Sequence, residues 1–198
     1  AASDVYKRQL EYHHYASAAG GRKLVRWLEA HDAADDAVPV LHASSACAAF
    51  AREHGAAEHV FEACAWASAA KVLSGLTFKP LPASVAVHTP CSQRNLLREY
   101  GSARHLLSVV PGIEPVEVSG LGCCGAAGLG MLSERTRART LASEVIREAL
   151  AADARILVSS NAGCLLHLRA TAQSLNGPEV LHPFELLDRQ LVITDNSA

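Results

Sequence analysis

Four cysteines carry the chemistry that this sequence can do: Cys91, Cys123, Cys124 and Cys164. Cys123 and Cys124 are adjacent inside the glycine-rich run Gly120–Gly130 (GLGCCGAAGLG). Vicinal cysteines bridge to each other only by distorting the peptide between them. They can, however, present two thiolates to one metal centre. Glycine lets the backbone pass close to such a centre where a Cβ would collide, so Gly122, Gly125 and Gly163 are expected to border it. His88 lies three residues before Cys91, and His182 ends a predicted strand. Either histidine is placed to donate to a sulfur or to serve as a spare ligand, against the plainer reading of a turn-stabilising residue beside a proline. Cys47 is a weaker candidate ligand. Cys64 reads as core packing beside Val60 and Phe61 in one helix.

The elements that must position these residues alternate between strand and helix. Predicted strands at Ser84–His88, Glu114–Val118, Arg155–Ser159 and Glu179–His182 are β-rich runs bounded by turn residues. Between them, Leu96, Tyr100, Ala103, Leu107 and Val110 recur at helical spacing. So do Ala138, Leu141, Val145 and Ala149 after a Ser133 cap, and Leu165, Leu168, Ala172 and Leu175 after Gly163-Cys164. A last helix, Phe184–Leu191, follows Pro183. Alternation of this kind implies right-handed crossovers, hence an α/β fold with a parallel sheet and helices on both faces. Each of the four cysteines comes after a strand. Loops after the strands share one edge of a parallel sheet, the edge where such folds bind ligands.

The start of the chain resembles the end. A shift of 117 positions places Cys47 on Cys164, Val40-Leu41 on Leu157-Val158, and Arg22, Leu24 and Leu28 on Arg139, Leu141 and Val145. It also places the Cys-Cys pair near Tyr6-Lys7, where no cysteine stands. The chain therefore reads as tandem repeats with an incomplete first copy. In this reading residues 1–9 are expected to be a non-native leader, 10–76 the remainder of the first repeat, 77–83 a Pro-rich linker, and 84–198 the complete second unit. His13-His14 fall beside the lost pair.

Composition narrows the partners. A formal net charge of −2 offers no basic surface for nucleic acid, and no apolar run is long enough to span a bilayer. Six cysteines are too few for a disulfide scaffold. The expected location is cytoplasmic, with any membrane contact peripheral at the inner face. Gly120, Gly122 and Gly125 also match G-x-G-x-x-G. The helix is expected to start too far downstream to offer its N-terminus to a pyrophosphate, which disfavours a dinucleotide site.

His88-Thr-Pro-Cys91, Gly122-Cys-Cys-Gly125, Ser160-Asn-Ala-Gly-Cys164 and Leu181-His-Pro together resemble the cysteine-rich CCG domain. That domain occurs in tandem in the cysteine-rich subunit of heterodisulfide reductase and in the iron–sulfur subunits of glycolate, lactate and anaerobic glycerol-3-phosphate dehydrogenases. The intervals of 31 residues between Cys91 and Cys123 and 39 between Cys124 and Cys164 are close to the family pattern. Asn161 stands where the family often has the first cysteine of a terminal Cys-x-x-Cys. This ending is similar to the glycolate oxidase iron–sulfur subunit and leaves four local cysteines, not five.

The resemblance implies an electron-transfer subunit that binds a [4Fe-4S]-type iron–sulfur cluster through Cys91, Cys123, Cys124 and Cys164. It further implies an FAD-containing dehydrogenase subunit as partner and the quinone pool as indirect acceptor. The electrons would come from a glycolate- or lactate-type 2-hydroxy acid, with no substrate chemistry on this chain. Two alternatives stay open: a heterodisulfide reductase-like thiol/disulfide oxidoreductase subunit, and a structural domain holding Zn²⁺ on four thiolates.

Overall fold

The computed structural model describes residues 39–53, 60–70, 72–126 and 130–192. Several expectations lie outside the described residues: the leader 1–9, the upstream part of the first repeat with Arg22, Leu24 and Leu28, and His13-His14.

Among the described residues, six short strands, all pairing in parallel, organise the fold. The first unit runs β1 (Val40–His42), α1 (Ser45–Glu53), β2 (Val60–Glu62) and α2 (Ala63–Ala69), with β1 beside β2. A second sheet follows: β3 (Ala83–His88), a π-helical turn (Gln93–Leu97), α3 (Ser102–Leu107), β4 (Ile113–Val118), α4 (Gly130–Ser133), α5 (Arg135–Ala151), β5 (Ile156–Ser159), α6 (Ala162–Ser174), β6 (Glu179–Leu181) and α7 (Pro183–Gln190). Its strand order is β4-β3-β5-β6. The chain steps from β3 outward to β4, then returns past β3 to β5 and on to β6. The order therefore reverses between β3 and β5, the crevice where open α/β sheets take their ligands.

Alternating side chains of the buried strands feed two cores. On one face Ala86, Val118, Leu157 and Val180 meet α5 and α6 through Ala142, Val145, Ile146, Ala149, Leu168 and Ala172. On the other, Val85, Val87, Val158 and Leu181 meet α3 and α7 through Ala103, Leu106, Leu107, Leu186 and Leu187. Cys64 and Ala67 of α2 complete that second core. The outward crossover (α3) and the return crossovers (α5, α6) thus lie on opposite faces, as right-handed connections require. The expected α/β architecture with a parallel sheet covered on both sides is what the chain adopts.

The first unit repeats local features of the second. β1 and α1 stand at the same 117-residue offset from the ends of β5 and the start of α6. Arg52 in α1 donates through Nε to the carbonyl of Val60 at 2.9 Å. Arg169 in α6, 117 positions later, donates through Nε to Val180 at 2.8 Å.

Three local expectations need correcting. The helical stripe from Leu96 to Val110 is not one helix. The π-helical turn ends at Arg98 (φ 56°), and Gly101 (φ 70°) starts α3 afresh; Tyr100, read as core-facing, is 69% exposed. Ser133 closes the short α4 and does not cap the long helix, which begins at Arg135 behind Glu134 with no side-chain cap. Val60 and Phe61 belong to β2, so Cys64 starts a separate helix whose N-cap is Glu62. The segment 77–82 is tied down: Lys79 N donates to Gln190 O, Val192 N to Thr77 O and Leu81 N to Pro111 O, and Phe78 is buried.

Candidate metal centre

Each of the four cysteines sits just past the carboxyl end of a strand. Cys91 follows β3, Cys123 and Cys124 follow β4, and Cys164 follows β5 in the first turn of α6. The β3 and β5 loops flank the point where the strand order reverses, and β4 lies next to β3. All four residues are buried.

Their sulfurs form a chain. Cys91 hydrogen-bonds Cys123, Cys123 hydrogen-bonds Cys124, and Cys124 Sγ lies 2.8 Å from Cys164 Sγ. Donors from the surrounding backbone are aimed at the same atoms. Gly125 N–H donates to Cys123 Sγ at 3.3 Å, Ala126 N–H reaches Cys124, and Ser159 reaches Cys164.

Packing the thiols together makes Cys123, Cys124 and Cys164 harder to ionise. The Cys123 thiol is pushed up to about 11, first by its hydrogen bond to Cys124 and then by burial, with contacts from Cys91 and Gly125 opposing. Cys124 is raised well above an ordinary thiol: its contact with Cys123 pulls the other way, but the bond to Cys164 and burial outweigh it. For Cys164 the bond from Cys124 lowers, while burial and the nearby Cys91 and Cys123 raise and win. A cationic centre bound by all four would relieve that cost, because coordination discharges the thiolates together. The fit is therefore good on donor chemistry: four sulfurs from three loops, with N–H and O–H groups directed at them. Among the described residues, no group of three or more His, Cys, Asp or Glu is arranged as a ready site for a metal ion.

The remaining candidates sort by contact. His88 is 1% exposed at the end of β3, with Nδ1 3.0 Å from Ser159 Oγ; it touches Cys164 only through that serine. Asn161 caps α6, its Oδ1 accepting from Cys164 N at 3.1 Å, and its Nδ2 donates to the hydroxyls of Ser45 and Ser92. His182 is a correction. Its Nδ1 accepts from Phe184 N and its Nε2 meets Ala43 O at 2.9 Å, so both ring nitrogens serve backbone groups and neither is left for a sulfur. Cys47 is exposed in α1, while Cys64 is buried in the second core and its thiol is raised by desolvation and by Glu62.

Gly125 borders Cys123, with its N–H 3.3 Å from Sγ, yet the sulfur is not what crowds it. A Cβ on Gly125 would come 2.6 Å from Ala138 O, and its φ is +82°, so α5 and not the sulfur space is what excludes a side chain there. A Cβ on Gly122 would meet nothing within 4 Å, although its φ of +86° favours glycine. Gly163 neighbours Asn161 and Ala126.

Sequence reasoning missed Ser159, Arg94 and Glu148. Arg94 reaches Thr89 O and Gly122 O, tying the Cys91 loop to the Cys123 loop. Glu148 Oε2 accepts from Ser119 N and Gly120 N at 2.8 and 3.0 Å. Those amides open the glycine-rich loop. A carboxylate already occupies the donors that a pyrophosphate would need, which argues against the dinucleotide reading.

Residues 85–169 match the family model of the cysteine-rich CCG domain. The match encloses all four clustered cysteines. The chain also aligns with Lactate utilization protein A of Halalkalibacterium halodurans, to which it is 28% identical over 112 residues, covering 56% of this chain and 46% of that protein. The chain thus spans about half the length of the curated relative it matches.

Proposed function

We propose that this chain is an iron–sulfur electron-transfer component of a 2-hydroxy-acid-oxidising system, of the lactate or glycolate type. In this reading Cys91, Cys123, Cys124 and Cys164 hold a [4Fe-4S]-type cluster. The observation that carries it is the meeting of four buried sulfurs from three loops at the reversal point of a CCG-domain sheet. When bound, such a cluster supplies reversible one-electron transfer. The chain's own residues hold the sulfurs in place, keep water from them by burial, and direct Gly125, Ala126 and Ser159 donors at them. The name of the aligned relative supports a role in lactate utilization. An FAD-containing dehydrogenase subunit is the electron source and the quinone pool the eventual sink. No helix among the described residues is long and apolar enough to cross a membrane.

The test is anaerobic reconstitution with iron and sulfide, followed by metal analysis and visible spectroscopy. We expect about four irons and four sulfides per chain and a broad band near 400 nm, lost on replacing any one of the four cysteines by serine and retained in Cys64→Ser. Zinc uptake without that band, or a band that survives all four single replacements, would overturn the assignment.

A further inference from the structure

β3 and β5 are neighbours at the reversal point, and their last residues, His88 and Ser159, are directly opposite in register. Both are buried, at 1% and 0% exposure. His88 Nδ1 is 3.0 Å from Ser159 Oγ, and the same hydroxyl contacts Cys164. His88 Nε2 is buried with no hydrogen-bond partner among the described residues. A serine hydroxyl has one proton to give. Facing a ligating sulfur, which has none, it must give that proton to the sulfur. The ring nitrogen at its back must then be an N–H donor, which leaves Nε2 as the bare nitrogen, and Nε2 is the one without a partner.

We propose that His88 and Ser159 are a positioning pair for the centre: Ser159 donates to Cys164 Sγ, and His88 Nδ1–H holds the hydroxyl in that direction. The inference rests on the cluster reading above and extends it. A hydrogen bond to a ligand sulfur withdraws electron density and favours the reduced, more negative state, so the pair raises the reduction potential. Neither residue ligates the centre, so losing the pair leaves the centre assembled with an altered potential.

Two measurements decide it. In the reconstituted protein, where Cys164 carries no proton, long-range ¹H–¹⁵N NMR should find His88 as the Nδ1–H tautomer; an Nε2–H tautomer there reverses the order of donation and overturns the pair. In the reconstituted protein, Ser159→Ala should keep full iron, sulfide and visible absorbance yet titrate at a more negative potential and lose iron to a chelator faster. Ser159→Thr should restore the potential. His88→Asn, which keeps an N–H near the Nδ1 position, should stay close to the parent, whereas His88→Leu should shift as Ser159→Ala does, with no further shift in the double variant. An unchanged potential in fully loaded Ser159→Ala overturns the proposal. Failure of the unaltered protein to load any cluster overturns the cluster reading itself, and with it the ligating sulfur that the pair would face.

Discussion

A histidine sealed in a strand is a neutral histidine. Burial, reinforced by the Arg94 charge, pulls His88 down to about 4, with Glu148 opposing weakly. Between about 6.5 and 4 the unfolded chain binds a proton at this ring that the folded chain refuses, so stability is present above the unfolded value and is lost as pH falls through that window. For a fully buried ring the loss is on the order of 3 kcal/mol. Buried Glu62, raised by desolvation, has the opposite slope, so the contribution is read as a difference. Urea midpoints of metal-free protein at about pH 7 and about pH 4.5 should fall further for the parent than for His88→Asn. Equal falls would show that His88 is not buried neutral.

Between elements, the contact that fixes the cysteine loop is Gly125 against Ala138. Alanine at Gly125 would have to hold φ near +82° and push its Cβ into a backbone carbonyl of α5. Such strain costs about 2 kcal/mol or more, and a shift of α5 to relieve it would move Cys123 and Cys124. Gly125→Ala should therefore lower the urea midpoint and the iron content together, whereas Gly122→Ala, whose Cβ would meet open space, should do so less. A fully loaded, undiminished Gly125→Ala would refute this account of the loop. The sequence carried the strands and the cysteine placement plainly, because β-branched runs stopped by Thr-Pro, Ser-Gly and Ser-Asn leave little else for Val85–His88, Val116–Val118 and Leu157–Ser159 to be. It did not carry the break at Arg98–Gly101, since the apolar spacing runs straight through it. Nor did it carry the glycine roles. G-C-C-G suggests close approach to sulfur, but only the position of α5 shows which glycine is crowded and by what. Ser159 was hidden for a related reason: a serine at a strand end is common, and its meaning comes from a histidine 71 residues away.

Across the whole molecule, residues 39–53 and 60–70 are not an appendage. Cys64 and Ala67 of α2 pack in one core with Val85, Val87, Leu106 and Leu187, and Trp66 packs against it. Polar contacts join the same units: Ser45 Oγ to Ser92 Oγ at 2.8 Å, Ser45 N to Ser160 O, and His182 Nε2 with Ala43 O. Because Ser92 neighbours Cys91 and Ser160 neighbours Ser159, the first unit braces the loops that hold the sulfurs. A shared core and shared buried hydrogen bonds make unfolding of one unit expose apolar and polar groups of the other, which is the condition for a single cooperative transition. With Trp27 replaced by phenylalanine, Trp66 fluorescence should report the first unit while far-UV circular dichroism reports the whole. The two urea curves should coincide. Ala67→Glu, which buries a carboxylate in that core without a partner, should move both curves to lower urea by an amount equivalent to about 2–3 kcal/mol. Separate transitions, with Trp66 released before the bulk of the helix signal, would show that residues 39–53 and 60–70 unfold independently and do not brace the cysteine loops.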